Sequence, residues 1–223
     1  MGYTKNSTAM SNTLLTLIRH GESFANVEPI VESYTCRGLT PKGITQAHAL
    51  ATRITTEQWQ YDVLYASTLK RAQMTAHIIA PALNLPITWE DGLHELRVGE
   101  IDGMNYRDVS QQYPTFDHAI RDVHTKVAPN GESWNEFALR CAATLNTIAT
   151  LHAGKRIAIV CHGGVIECAF LWACDLNAGV RRRVAFPARN TAFTTWHHRV
   201  SPFDQRVEWQ LLCHNDHTHL LPS

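Results

Sequence analysis

Along this chain, short apolar runs alternate with segments whose apolar residues recur every three or four positions. Residues 14–18 read as a buried strand that ends at Arg19-His20-Gly21. Thr40-Pro41 then offers an N-cap followed by proline at the first helical position, and Ile44, Ala47, Leu50, Ala51 and Ile54 continue at helical spacing. Residues 61–66 predict a second strand. Ser67 is placed to cap the following helix, whose apolar face is Leu69, Ala72, Ala76, Ile79 and Leu83, and residues 86–89 lead into a short strand.

Residues 105–130 are polar and weakly periodic, and read as an insertion. Ser133 and Glu136 form a capping-box pattern ahead of an amphipathic helix through Trp134, Phe137, Ala138, Cys141, Leu145 and Ile148, ended near Gly154. Residues 157–161 are a continuous apolar strand of the kind buried on both faces. It runs into His162-Gly163-Gly164 and an apolar helix over 165–174. Residues 191–196 and 207–213 alternate as strands do. This order predicts an α/β fold, a three-layer α/β/α sandwich around a mostly parallel sheet. Residues 13–214 are expected to form one domain, with a disordered N-terminal tail (1–12) and a C-terminal tail (215–223). In such sheets ligands bind at the carboxyl ends of strands. His20 and His162 each follow a buried strand, so one crevice can hold both.

Composition narrows the function. The 223 residues fit one domain, and 20 Lys plus Arg balance 20 Asp plus Glu at a pI near 7.2. That balance excludes the broad basic field of non-specific nucleic-acid or membrane binding, and no apolar run reaches membrane-spanning length. The opening MGYTKNSTAMSN lacks the apolar run of a signal peptide. Cys36, Cys141, Cys161, Cys168, Cys174 and Cys213 include no CxxC pair, which argues against a thiolate zinc site and for a reducing, cytoplasmic compartment. His197-His198 and the tail from Cys213 to His219 hold metal-ligand types, but the polar tail reads as a solvated terminus and no metal is assigned. Arg181-Arg182-Arg183 reads as a solvated face or as a rim that attracts an anionic substrate.

Phosphomonoester cleavage requires fixed cations and amides for a dianion, a neutral nucleophile, and an acid for the departing alkoxide. Histidine keeps a neutral nitrogen near pH 7, and adjacent arginines depress its pKa further. The chain offers this combination at Arg19-His20.

Six blocks carry a resemblance. LTLIRHGESFAN (15–26), GLTPKGITQA (38–47), YASTLKRAQMTA (65–76), LHELRVGEIDG (93–103), PNGES (129–133) and IVCHGGVI (159–166) resemble, in order, those of the histidine phosphatase superfamily, also called the phosphoglycerate mutase-like proteins. The resemblance implies that fold, with His20 as nucleophile and Arg19, Arg71 and His162 around the phosphate. It further implies Asn26 and a Gly163 amide as phosphate contacts and Glu95 as proton donor, with Glu100 and Asp102 close by. Glu22 and Ser23 are expected to orient the loop or donate one hydrogen bond. No metal or organic cofactor is implied, and the expected partner is a small phosphorylated metabolite. An exposed Trp or Phe in the insertion would support a homodimer.

The secreted branch of that family carries RHG-x-R-x-P and a late His-Asp, where this chain has Ser23, Ala25 and Gly163. Mutases follow the first block with F-x-G-W and later paired arginines; here the first region reads VESYTCRGLT (31–40) and only Arg121 stands in the second. A cytosolic phosphatase is therefore expected, with a mutase or a non-catalytic phosphate-binding or signalling module as alternatives. A protein phosphatase would need a shallow pocket not roofed by residues 105–130. Cys36-Arg37, the insertion and Arg181–Arg183 are expected to face the leaving group, with Arg37 near the pocket mouth.

Overall fold

The computed structural model describes residues 12–221, apart from the side chains of Thr115, Ile120, Arg121 and Arg182; residues 1–11 of the expected N-terminal tail lie outside it. Six strands form one sheet: β1 (Thr13–Arg19), β2 (Val63–Ala66), β3 (Ile87–Trp89), β4 (Arg156–Cys161), β5 (Phe193–Val200) and β6 (Val207–Asp216). Their order is β3-β2-β4-β1-β5-β6. The first four pair in parallel, β5 is antiparallel to β1, and β6 is antiparallel to β5. The helices are α1 (Phe24–Val27), α2 (Pro41–Thr56), α3 (Lys70–Leu83), α4 (Tyr106–Gln112), α5 (Thr115–Arg121), α6 (Trp134–Leu151) and α7 (Gly163–Ala173).

The two-residue period of the strands builds the three layers. Leu15, Leu17, Ile157 and Ile159 face α6 and α7, whereas Ile18, Ala158 and Val160 face α2 and α3. The caps predicted at Thr40 and Ser133 form as read. Thr40 accepts from the Gly43 amide at 3.1 Å, and Ser133 and Glu136 exchange the two bonds of a capping box. Gly43 is required for another reason: a Cβ there would lie 2.0 Å from the Glu22 carbonyl oxygen, because the start of α2 packs directly on the loop after β1.

Three expectations are corrected. Ser67 does not cap the helix after β2; α3 starts three residues later with Leu69 at its N-cap, and the Ser67 hydroxyl bonds His162 instead. The strand expected from residue 191 starts at Phe193, because Thr191 takes a left-handed φ of 58°. Residues 214–220 are not a solvated terminus. β6 continues to Asp216, which Arg53 of α2 grips through both carboxylate oxygens, at 2.7 and 3.1 Å. His214 bonds Thr194 and His219 bonds Thr191. The insertion folds as α4 and α5 over a small core of its own, in which Phe116 is buried with Val31, Val98, Ile101 and Val109. Phe116 thus presents no exposed aromatic surface for a homodimer. Among the described residues, no helix is long and apolar enough to cross a membrane.

Candidate active site

Three neighbouring parallel strands deliver the site. In the sheet, β2, β4 and β1 lie side by side, and Arg19 is in register with Cys161. The residues beyond their carboxyl ends are therefore neighbours: Ser67 and Arg71 after β2, His162 and Gly163 after β4, His20 after β1. The His20 and His162 rings stand 5.1 Å apart. Thr75 braces the arrangement, accepting from the Gly21 amide at 3.0 Å and donating to the Arg71 carbonyl at 2.8 Å.

His20 is buried, and its Nδ1 lies 2.7 Å from the Gly21 carbonyl oxygen. A carbonyl only accepts, so Nδ1 carries the proton and the neutral ring keeps a lone pair on Nε2. Burial holds the His20 pKa well below its ordinary value, and Arg71 and Arg19 lower it further, against the opposing Gly21 bond. His162 is lowered likewise, by burial first and then by Arg71, His20, His94 and Arg19. Its Nε2 is 2.8 Å from the Ser67 hydroxyl. Three buried nitrogens here, Arg19 Nε, Arg71 Nη1 and His162 Nδ1, have no hydrogen-bond partner among the described residues. An unpaired buried polar group costs about 1–3 kcal/mol, so such a set is in place ahead of an anion that would satisfy it.

Glu95 lies beyond β3, and its carboxylate accepts from the Gly164 amide at the start of α7 (3.0 Å) and from the Leu96 amide (3.0 Å). Gly164 makes this approach possible, since a Cβ there would stand 2.2 Å from Glu95 Oε1. Arg140 of α6 holds the same segment by its backbone, donating to the carbonyls of Gly92 (2.9 Å), His94 (3.0 Å) and Glu95 (3.3 Å) while paired with Glu132. The nearby carboxylates are engaged elsewhere: Asp102 accepts from Ser33 and Thr35, and Glu100 from Asn130.

A cavity of about 320 Å³ opens onto these groups, lined among others by Arg19, His20, Ser23, Asn26, Arg71 and Glu95. A larger groove of about 800 Å³ shares Arg19 but not His20, Arg71 or Glu95, so the smaller cavity marks the site. Asn26 Oδ1 accepts from the Ser23 amide and hydroxyl and from Asn190. Gly163 packs against the Arg19 guanidinium, with its Cβ position 3.6 Å from Arg19 Nε. Cys36 is buried and, like Arg37, is not part of the lining. Arg37 pairs with Glu32 of the cavity wall at 2.7 Å and with Glu28 at 2.9 Å, its guanidinium held over the Phe24 ring. Arg181 does line the cavity, paired with Glu167 at 3.2 Å and set over the Trp134 ring, whereas Arg183 is exposed.

Sequence reasoning missed Arg140, Glu132, Thr75 and Asn190, which donates to the His20 carbonyl. All four act on backbone or on other side chains. The PNGES and YASTLKRAQMTA blocks, which contain Glu132 and Thr75, were the available signal.

The depressed histidines predict acid lability. Burial pushes His94 down to about 4 against the opposing Asp91, and His219 falls to about 4 from burial and Arg53. An unfolded chain binds these protons near 6.5, so below that value the unfolded state holds more protons and stability falls as pH falls towards 4. Urea unfolding at pH 7 and pH 4.5 should show this as a lower midpoint, and equal midpoints would refute it.

Comparison with known proteins identifies the class. Residues 15–210 match the histidine phosphatase superfamily (branch 1), and the chain belongs to this family. It is 34% identical over 156 residues to phosphoglycerate mutase-like protein 4 of Arabidopsis thaliana, covering 69% of this chain and 67% of the relative. To the metal-independent phosphoserine phosphatase of the same plant it is 32% identical over 164 residues, covering 71% and 68%. The fold superimposes with a TM-score of 0.76 on a histidine-to-alanine mutant of phosphoserine phosphatase from Entamoeba histolytica solved with phosphoserine, at 26% identity over 94% of this chain and 100% of that one. The chain is a hydrolase of the histidine phosphatase type.

Proposed function

We propose that this enzyme hydrolyses phosphomonoesters of small metabolites through a phosphohistidine on His20. The carrying observation is the buried, neutral His20, its Nδ1 proton fixed on the Gly21 carbonyl, among the unpaired donors of Arg19, Arg71 and His162. The phosphoryl group docks against those donors and a backbone amide at the start of α7 (Gly163), with Asn26 and Ser23 alongside. His20 Nε2 attacks phosphorus, the ester P–O bond breaks, and Glu95 gives its proton to the departing alkoxide. Water then attacks the phosphohistidine as Glu95 takes a proton back, the P–N bond breaks, and phosphate leaves with His20 restored. No step calls for a metal or cofactor.

The cavity favours a small substrate. Its volume sits at the low end for small-molecule sites, and Tyr106 of the insertion forms part of its wall. The relatives named for phosphoserine make a phosphorylated amino or hydroxy acid a suitable first substrate to test. Six free thiols, four of them buried, fit the expected cytoplasmic setting.

The test is hydrolysis of p-nitrophenyl phosphate in excess chelator, with rapid denaturation in alkali to preserve the intermediate. The peptide carrying His20 should gain one phosphoryl group during turnover, and free phosphate should be released. Turnover without label on that peptide, or transfer of the group to another hydroxyl in place of release, would defeat the reading.

Gly164→Ala probes the acid separately. The added methyl displaces Glu95, so an alkyl phosphate, whose alkoxide needs a proton, should lose on the order of 10²-fold in kcat. p-Nitrophenyl phosphate, whose phenolate leaves unaided, should lose far less. Equal losses on both substrates would remove Glu95 from the acid role.

A further inference from the structure

Beyond the phosphate-binding groups, the cavity wall contains a carboxylate the hydrolysis does not use. Glu32 lines the cavity, and its side chain is only 1% exposed. Its Oε1 accepts from Arg37 Nε at 2.7 Å, while Oε2 is buried without a hydrogen-bond partner among the described residues. Arg37 is shared with Glu28 at 2.9 Å, so two carboxylates face one guanidinium and the cluster keeps a formal charge of −1. Among the described residues, the only other ion pair at the wall, Glu167 with Arg181, is neutral in sum. The backbone fixes Glu32 in place: Val31 donates to the Met104 carbonyl at 2.9 Å and accepts from the Gly103 amide at 2.8 Å, which locks the segment to the start of the insertion.

We propose that Glu32 is a specificity-determining residue that accepts a hydrogen bond from a protonated amine on the leaving group, so that the enzyme prefers phosphomonoesters of amino alcohols and amino acids. The phosphate end of the cavity is cationic and suits the phosphoryl group. The remaining wall is net negative with one unfilled acceptor, which an ammonium satisfies and a methyl group leaves unpaired. A site built to pair a polar group rejects the analogue that lacks it, since the buried acceptor then stays desolvated and unmatched.

The inference rests on the phosphatase reading, and the test keeps the two apart. With p-nitrophenyl phosphate as reporter, O-phosphoethanolamine and n-propyl phosphate compete against it; they match in length and differ by ammonium against methyl. 2-Hydroxyethyl phosphate supplies a neutral donor. The expected result is a kcat/KM for phosphoethanolamine at least about tenfold above either of the others, the range of one charge-assisted hydrogen bond. Glu32→Gln keeps the shape and removes the charge, and the preference ratio should collapse towards one. Equal use of the three compounds by the wild type overturns the inference without needing any variant, as does a ratio that survives Glu32→Gln. Failure of the wild type to cleave the reporter at all would instead count against the phosphatase reading.

Discussion

Replacing His20 with alanine should lower turnover of p-nitrophenyl phosphate on the order of 10⁶-fold, the scale of loss when a nucleophile that works as part of a unit is removed. The reason lies in what remains. Arg19, Arg71 and His162 still surround the phosphate, and none of them combines a soft nitrogen lone pair with a side chain placed for attack: guanidinium groups donate and offer no acceptor, and His162 has Nε2 on Ser67. Binding should therefore outlast catalysis. Inorganic phosphate should inhibit or protect the variant at concentrations near those effective on the wild type, while turnover vanishes. Near-normal turnover in the variant would mean that another group attacks phosphorus, and the assignment of His20 would fall.

The second large effect is expected from Arg71→Ala. The Arg71 guanidinium is buried with Nη1 unpaired, and removing one such pre-organised contact costs on the order of 10²–10³ in turnover. A second consequence separates this role from simple structural damage. After burial, Arg71 is the largest cause of the depressed His20 pKa. Without it that pKa rises towards its ordinary value, so His20 becomes protonated at higher pH. The acid limb of kcat/KM should shift upward in the variant relative to wild type, and the His20 ring resonance should titrate at higher pH. A rate loss with an unmoved profile would place Arg71 outside the electrostatic field of the nucleophile.

How far the sequence could be read depended on which physical signal each residue leaves. His162 was legible because it stands after an uninterrupted apolar run, of the kind buried parallel strands make, and His20 because it closes a mostly apolar strand broken only by Thr16 and ended by Arg19. Thr40-Pro41 and Ser133 with Glu136 were legible because capping is local, with donor and acceptor three residues apart. The partners of Arg37 were not legible, because nearness in sequence to the His20 loop says nothing about which carboxylates hold it, and these are Glu28 and Glu32. The end of the chain was misjudged because His, Asn, Asp and Thr look the same in a solvated tail and in a strand whose polar groups are paired. The clasp between Arg53 and Asp216 spans 163 positions and leaves no local trace. Arg140 was invisible for a related reason: it binds carbonyl oxygens, which every residue has.

The insertion carries one more consequence. α4 and α5 bury Val109, Phe116 and Ala119 against Val31, Val98, Ile101, Val127 and Ala128, in a cluster distinct from the two that sandwich the sheet. Tyr106 reaches the cavity from this unit, whereas His20, Arg71 and His162 stand at the sheet. On the proposed reading, part of the wall beside the leaving group and the reacting histidine thus belong to separately packed parts. A lineage with this layout can exchange its cap and acquire a new substrate while the reaction centre stays as it is, and a protein engineer can graft at the same seam.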